Sequence, residues 1–215
     1  MKYSHILFDL DGTLIDSKET ICRSFEYALN KMQVPNSKIT DVNALIGPPM
    51  LTTLQEVFGF TLDEAQKGYQ YYLEEYVDNG QMFHAKLYDG VQETVHKLSQ
   101  LGCFLAVATT KNEINARKIV KKQDLDIETQ HVYGTYNDGT RSDKKRIITD
   151  LLDDYNITNR SEVLMVGDRH FDIIGAHEVG IDSVGVLYGC GSAKELQDAG
   201  PTYLISSINE LLTII

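Results

Sequence analysis

The sequence predicts an α/β fold in which a doubly wound parallel sheet carries a long helical insertion. Two observations support this prediction. Short apolar runs alternate with segments of helical periodicity along most of the 215 residues, which is typical of a parallel sheet with helices on both faces. One stretch, residues 16–83, breaks this alternation and shows helical patterning without a convincing strand.

Six apolar runs predict the strands of the sheet. Each run is short, lacks strict alternation and is followed by polar or glycine-rich residues, which is typical of strands buried on both faces. The run at residues 131–133 is the faintest. The six runs cover residues 3–8, 104–108, 131–133, 163–166, 183–186 and 203–205.

Three apolar stripes between these runs predict helices that pack on the sheet. Apolar side chains recur at steps of three and four residues in each stripe. Gly102 and Gly180 stand where C-terminal glycines belong. The stripes consist of Val91, Val95, Leu98 and Leu101, then Ile147, Ile148, Leu151 and Leu152, and finally Ile173, Ile174, Ala176 and Val179.

The helical insertion divides the chain into two predicted domains, a core of residues 1–15 and 84–215 and a helical domain of residues 16–83. Its tyrosines at helical spacing indicate core positions rather than a ligand-binding surface. Three stripes predict its helices: Ile21, Phe25, Ala28, Leu29 and Met32, then Leu51, Leu54, Val57 and Phe58, and then Leu62, Ala65, Tyr69, Tyr72, Leu73 and Tyr76.

Charge and cysteine content exclude several classes of protein. The chain has 31 acidic and 20 basic residues and a formal net charge of −11, so binding to nucleic acid or to an anionic membrane is disfavoured. No run of about 18 apolar residues predicts a membrane span. The three cysteines are far apart and odd in number, and the N-terminus lacks the apolar segment of a secretory signal, so we expect a reduced, cytoplasmic protein.

Asp9 and Asp11 form the sharpest chemical signal, because they follow the apolar run at residues 3–8 and precede Gly12 and Thr13. Two carboxylates two residues apart in extended chain project to one side. Keeping both ionised is costly without a cation. Gly12 permits a turn that brings the backbone close to a ligand.

Asp168 and Asp172 form a second acidic pair. Asp168 follows the apolar run at residues 163–166, and Asp172 lies one helical turn later and faces the same way. Ligands of parallel sheets gather beyond the carboxyl ends of the strands, and Mg²⁺ prefers a few carboxylate oxygens and several waters. We therefore predict a magnesium site formed by Asp9, Asp11 and Asp168.

Thr109, Thr110 and Lys144 are candidates for binding a phosphate group. Thr109 ends the run at residues 104–108, and a helix is predicted to open at Thr110. A hydroxyl group and N–H groups at a helix N-terminus would bind an anion. Lys144 lies at the start of the helix after the third strand, but Lys145 beside it is also a candidate.

These elements, in this order, resemble the haloacid dehalogenase superfamily of phosphotransferases over nearly the whole chain. The first motif of the family, D-x-D-G-T, is matched at residues 9–13, and the fourth, G-D-x-x-x-D, at residues 167–172. The second motif is matched by Thr109 and the third by Lys144. The insertion resembles the helical cap of the first type, and its residues 46–49 resemble a cap loop of phosphoglycolate-phosphatase-like members.

The resemblance implies a Mg²⁺-dependent phosphatase acting on a small phosphate ester, phosphoglycolate-like or a nucleoside monophosphate. Asp9 would attack phosphorus and form an aspartyl-phosphate, while Asp11 would act first as general acid and then as general base. Asp172 would orient the metal site or the lysine. The phosphoryl oxygens would be bound by Thr109, Thr110 and Lys144. We expect a monomer or a weak homodimer.

Alternative functions stay open on the sequence alone. A sugar-phosphate mutase of the β-phosphoglucomutase kind shares the motifs and the cap, although such mutases commonly carry Val in place of Thr13. A phospho-accepting signalling or binding protein without turnover would also use an acceptor Asp. Many family members carry a Lys-Pro-x-Pro string at the third motif, whereas residues 142–146 lack prolines, so Lys144 and Lys145 are not distinguished.

Overall fold

The computed structural model describes residues 1–35, 45–46, 50–136 and 140–215. The chain separates into two compact units, one formed by Met1–Ile15 with Leu87–Ile215 and one formed by Asp16–Lys86. The chain passes between the units at two short strands, β2 (Ile15–Asp16) and β3 (Lys86–Leu87). Within the described ranges, no helix is long and apolar enough to cross a membrane.

The described residues of the first unit form a sheet of six strands, and every pair of neighbouring strands is parallel. The sheet order is β5-β4-β1-β6-β7-β8, so the chain builds outwards on one side of β1 and then on the other. This order confirms the predicted doubly wound fold. The strands are β1 (His5–Phe8), β4 (Phe104–Asn112), β5 (Val132–Thr135), β6 (Val163–Gly167), β7 (Asp182–Val186) and β8 (Tyr203–Ile205).

Helices alternate with these strands, as the apolar stripes predict. Gly180 ends α7 (His170–Val179) in the left-handed conformation, with φ of 76°, where a side chain would cost energy. Asp143 begins α6, because its carboxylate accepts a hydrogen bond from the Arg146 N–H at 2.9 Å. The helices are α4 (Val91–Gln100), α5 (Glu113–Gln123), α6 (Lys144–Asp154), α7 (His170–Val179), α8 (Ala193–Ala199) and α9 (Leu211–Ile214).

The register of the three central strands decides which residues meet at the carboxyl edge of the sheet. Phe8 of β1 is paired with Val107 of β4 and with Val166 of β6. One residue earlier, Leu7 lies in a buried cluster with apolar side chains of α6, including Ile148. Because side chains alternate along a strand, Asp9, two residues after Leu7, projects on the same side as Leu7.

The second unit is helical, and its core is aromatic. Its helices are α1 (Lys18–Lys31), α2 (Met50–Glu56) and α3 (Leu62–Leu73), followed by a π-helical turn at Glu74–Asp78. The Phe25 ring lies 5.3 Å from Tyr72 and 5.7 Å from Phe58, and Tyr72 and Tyr76 are buried. These tyrosines therefore occupy core positions, as their spacing indicates.

Four apolar residues of the predicted stripes are exposed instead, Val57 and Leu62 in this unit and Leu101 and Ile174 in the first unit. Leu62 is the first residue of α3, where a capping box between Thr61 and Glu64 fixes the start of the helix. The local capping therefore sets its position rather than the apolar stripe. Of the loop resembling a phosphoglycolate-phosphatase cap loop, Ile46 is buried and residues 47–49 lie outside the described ranges. The role of the helical unit as a cap stays a prediction.

Candidate active site

The turn after β1 places Asp9 and Asp11. The Asp9 N–H donates to the Val166 carbonyl at 2.8 Å, which continues the sheet pairing to Asp9. Gly12 adopts φ of +83°, and a Cβ at this position would lie 2.2 Å from an Asp168 carboxylate oxygen. Only glycine allows the turn to approach that carboxylate so closely.

Asp168 follows β6 and is fully buried. Its Oδ2 accepts a hydrogen bond from the Cys190 N–H at 2.7 Å, and its Oδ1 accepts one from the Thr13 hydroxyl at 3.3 Å. Cys190 belongs to the loop after β7. Two neutral donors therefore fix the orientation of this carboxylate without neutralising its charge.

Of Lys144 and Lys145, only Lys144 reaches the carboxylates at the carboxyl edge of the sheet. Its Nζ lies 2.9 Å from Asp9 Oδ1 and 2.7 Å from Asp172 Oδ1, and it donates to the Ala108 carbonyl at 2.7 Å. The Lys144 side chain is 4% exposed, whereas that of Lys145 is 55% exposed and lies 4.0 Å from Glu178. The geometry therefore distinguishes the two lysines that the sequence left open.

Asp172 links this lysine to the start of α7. Its Oδ2 accepts a hydrogen bond from the Arg169 N–H at 3.0 Å, and its other oxygen is the one that contacts Lys144. A Cβ at Gly175, one turn further along α7, would lie 2.8 Å from Lys144 Cγ. The missing side chain at Gly175 thus leaves the space through which the lysine reaches Asp172.

Burial and mutual repulsion make the carboxylates at this edge costly to ionise. Burial raises the pKa of Asp9 to about 6, although the charge of Lys144 works in the opposite direction. Burial, together with Asp172 and Asp9, raises the pKa of Asp168 to about 7. Burial acts to lower the pKa of Lys144, but Asp172 and Asp9 outweigh it and raise the pKa. Shifts of this kind are concentrated at functional sites.

The acidic side chains fit a divalent cation. Asp9, Asp168 and Asp172 each offer a carboxylate oxygen, and these oxygens lie within 4.8 Å of one another. Three carboxylates beside the Lys144 ammonium leave about two negative charges, which a dication would neutralise. Hard oxygen ligands of this type suit Mg²⁺. Asp11, which was predicted to share the metal, lies outside this group of three.

Thr109 and Thr110 lie inside β4, so the expectation that a helix opens at Thr110 is wrong. The strand runs on to Asn112, and α5 begins at Glu113. The Asn112 side chain caps α5 by accepting a hydrogen bond from the Asn115 N–H at 3.2 Å. Pairing with β5 extends the strand, since Asn112 is still in register with Thr135. The buried Thr109 hydroxyl accepts from the Lys111 N–H at 3.3 Å.

Comparisons with known proteins identify the family of the chain. The model of a family described as haloacid dehalogenase-like hydrolase matches residues 6–186. The chain belongs to the haloacid dehalogenase-like hydrolase family. The match spans most of the chain, so the resemblance seen in the sequence is confirmed at the level of the family.

Three relatives of this haloacid dehalogenase-like hydrolase are similar over nearly all of the chain. A 5'-nucleotidase from Pseudomonas aeruginosa is 34% identical and covers 100% of this chain and 96% of its own length. The tyrosine-protein kinase PtkA of Mycobacterium tuberculosis is 33% identical over 96% of this chain and 70% of its own length. The crystal structure of a predicted phosphatase from Clostridium acetobutylicum has a TM-score of 0.88 and 34% identity, and the match covers 100% of this chain and 98% of that one. The predicted enzyme class, a phosphatase of this family, is confirmed.

The sequence analysis gave no role to one charged residue of this haloacid dehalogenase-like phosphatase, Lys111. Its Nζ lies 2.6 Å from Asp11 Oδ2, and the two side chains are only 9% and 13% exposed. The signal was its position only two residues after Thr109. It was missed because the strand was expected to end at Thr109.

Proposed function

We propose that the protein hydrolyses a phosphate monoester of a small metabolite through an aspartyl-phosphate on Asp9, with Mg²⁺ as its cofactor. One observation carries this proposal. The buried Lys144 ammonium lies between Asp9 and Asp172, and Asp168 completes an acidic group of oxygens within 4.8 Å. A carboxylate held in place and beside a cation is a suitable nucleophile for phosphorus.

The chemistry consists of two displacements at phosphorus. In the first, an Asp9 oxygen forms a bond to phosphorus while the ester bond breaks, and Asp11 gives its proton to the departing oxygen. In the second, Asp11 takes a proton from a water molecule as that water attacks phosphorus. The bond between phosphorus and Asp9 then breaks, which releases phosphate and restores both side chains.

The surrounding residues orient these groups. Lys144 fixes one Asp9 oxygen, so the other is left for attack, and its positive charge favours the ionised form of Asp9. Thr109, with its buried hydroxyl, and Thr110 are proposed to contact the phosphoryl oxygens. Mg²⁺, held by Asp9 and Asp168, would neutralise charge on the phosphoryl group.

The substrate class that we propose is a nucleoside 5'-monophosphate or a small phosphorylated acid of the phosphoglycolate type. The 5'-nucleotidase relative, 34% identical over the whole chain, supports the first of these. A cytoplasmic setting is supported by the three cysteines, which all lie within described ranges and form no disulfide. Thr13 supports hydrolysis over the mutase alternative, because mutases of the β-phosphoglucomutase kind commonly carry Val at this position.

The test is phosphate release from 4-nitrophenyl phosphate and from a panel of phosphorylated metabolites, ranked by kcat/KM. We expect turnover in Mg²⁺ and none after addition of EDTA. Asp9→Asn should lower kcat by at least about a thousandfold, because the nucleophile is lost. Asp63→Asn, an exposed aspartate of α3, is the matched control and should behave as the wild type.

Three outcomes would contradict the proposal. Full turnover in EDTA would exclude the metal, and an Asp9→Asn variant retaining more than about a tenth of the rate would exclude Asp9 as nucleophile, since that loss is only ~1.4 kcal/mol. Conversion of a sugar phosphate to its isomer without phosphate release would favour the mutase instead.

A further inference from the structure

The carboxylate of Asp11 is held by one of its two oxygens. Asp11 Oδ2 lies 2.6 Å from Lys111 Nζ, and both side chains are largely buried. Asp11 Oδ1 is also buried, but it has no hydrogen-bond partner among the described residues. A buried carboxylate oxygen without a partner is costly, so an unpaired oxygen at this position indicates a group that is kept available for chemistry.

The backbone of β4 explains how Lys111 reaches Asp11. The strand extends beyond Thr109 to Asn112, so Lys111 lies on β4 and not on the helix that follows it. A shift of register lies between Ala108 and Asn112 in the pairing with β5, which is a common way to redirect a side chain next to a site. The Lys111 N–H donates to the Thr109 hydroxyl at 3.3 Å.

We propose that Lys111 is a positioning residue that fixes the acid–base carboxyl of Asp11 so that its Oδ1 faces the ester oxygen. This inference rests on the proposed function of Asp11. The ammonium anchors Oδ2 and so restricts rotation of the carboxyl group, which leaves Oδ1 in one orientation. Rate depends steeply on such placement, because small displacements of a reacting group cost large factors in rate.

A purely structural role would give different results. If Lys111 only neutralised a buried charge, its loss would lower the stability of the fold and would lower kcat by the same factor on all substrates. If Lys111 acts through Asp11, the loss of kcat depends on how much the leaving group needs a proton from Asp11. 4-Nitrophenolate departs readily without a proton, whereas the more basic phenolate needs one.

The experiment compares 4-nitrophenyl phosphate with phenyl phosphate, which differ little in shape, in the wild type and four variants. These are Lys111→Met, Asp11→Asn, the double variant of the two, and Lys118→Met. Lys118 is exposed on α5 and serves as the matched control. We expect Lys111→Met to lower kcat on phenyl phosphate by about tenfold or more, within the range of general acid catalysis, and on 4-nitrophenyl phosphate by less than about threefold.

The double variant tests whether Lys111 works through Asp11. We expect it to be no slower than Asp11→Asn alone, because the two losses are not independent. Additive losses, or equal losses on both esters, would overturn the inference. If Lys111→Met does not fold, Lys111→Gln and Lys111→Arg replace it, and only the arginine variant should retain the rate on phenyl phosphate.

Failure of this inference can be separated from failure of the proposed function. If the wild type in Mg²⁺ releases phosphate from neither ester, the proposed function is wrong. If the wild type and Lys118→Met turn over, Asp11→Asn is impaired and Lys111→Met matches the control, only the role of Lys111 is wrong.

Discussion

The two edges of the same sheet differ in how they hold carboxylates, which are buried at the carboxyl edge and partly exposed at the amino edge. At the carboxyl edge, burial and neighbouring acids raise the pKa of Asp9 to about 6 and that of Asp168 to about 7. At the amino edge, Asp182 begins β7 and accepts a hydrogen bond from the Tyr3 hydroxyl at 2.5 Å. That hydrogen bond, aided by Lys2, lowers the pKa of Asp182.

The difference shows that unfavourable charge interactions are concentrated at the carboxyl edge. The amino-edge network contains a carboxylate, an ammonium and two phenols, and Lys2 Nζ lies 3.2 Å from Asp182 Oδ2, so its charges balance. The carboxyl edge has three carboxylates beside the ammonium of Lys144. Folded proteins tolerate such an imbalance where a ligand or ion supplies the missing charge.

The largest effect is expected from removing the central cation of the carboxyl edge. Lys144→Met should lower kcat by about 10²–10³-fold, which is typical when one electrostatic contact to a reacting group is lost. Lys145→Met is the matched control, because its side chain is 55% exposed, and should stay within about twofold of the wild type. Steady-state kinetics on 4-nitrophenyl phosphate measure both, and equal losses in the two variants would contradict the assignment of Lys144.

A second prediction concerns the metal and is read from stability rather than activity. Mg²⁺ should raise the Tm of the wild type, because a ligand that binds only the folded state stabilises it. The Asp168→Asn variant should need a Mg²⁺ concentration about tenfold higher, or more, for the same rise in Tm. A loss of affinity of this size is typical of disturbed metal sites. Asp182→Asn should leave it unchanged, and an undiminished response in Asp168→Asn would exclude Asp168 as a ligand.

A smaller effect is expected at the amino edge. Asp182→Asn should lower the free energy of unfolding by about 1 kcal/mol, the usual net value of a hydrogen bond at a partly exposed site. Its kcat should equal that of the wild type. Urea denaturation measures the free energy of unfolding, and phosphate release measures kcat. A loss of activity without a loss of stability would contradict a purely structural role for Asp182.

The pH dependence of this stability provides a control. The pKa of Asp182 is lower in the folded state than in the unfolded state, so its stabilisation is complete above the unfolded pKa of about 4. The stabilisation is lost as the pH falls through the folded value. The difference between the wild type and Asp182→Asn should therefore shrink in urea titrations below about pH 4.

The sequence predicted the elements of the fold well where local signals are strong. The apolar runs and the glycine that ends α7 lie where they were expected, since strand burial and helix termination are local properties. The end of β4 was misplaced by three residues, because pairing with β5 lengthens the strand and local sequence does not report that pairing. For the same reason, the contact between Lys111 and Asp11 was missed.

The candidate site shows the same division. Spacing alone identified Asp9 and Asp168 as strand-end acids, and both meet at the carboxyl edge. Spacing could not choose between Lys144 and Lys145, since adjacent residues at a helix start have the same local pattern. The packing of α6 against α7 distinguishes them, because Gly175 leaves room for the Lys144 side chain.

The doubly wound fold, the order of the acidic motifs and the family could all be predicted before any coordinates were known. These depend on apolar periodicity and on residues that are neighbours along the chain. The pairing of charges could not be predicted in this way, because Lys144 and Asp9 are 135 positions apart and meet through strand register and helix packing. Burial then determines how costly each charge is, and burial is a property of the assembled fold rather than of any segment.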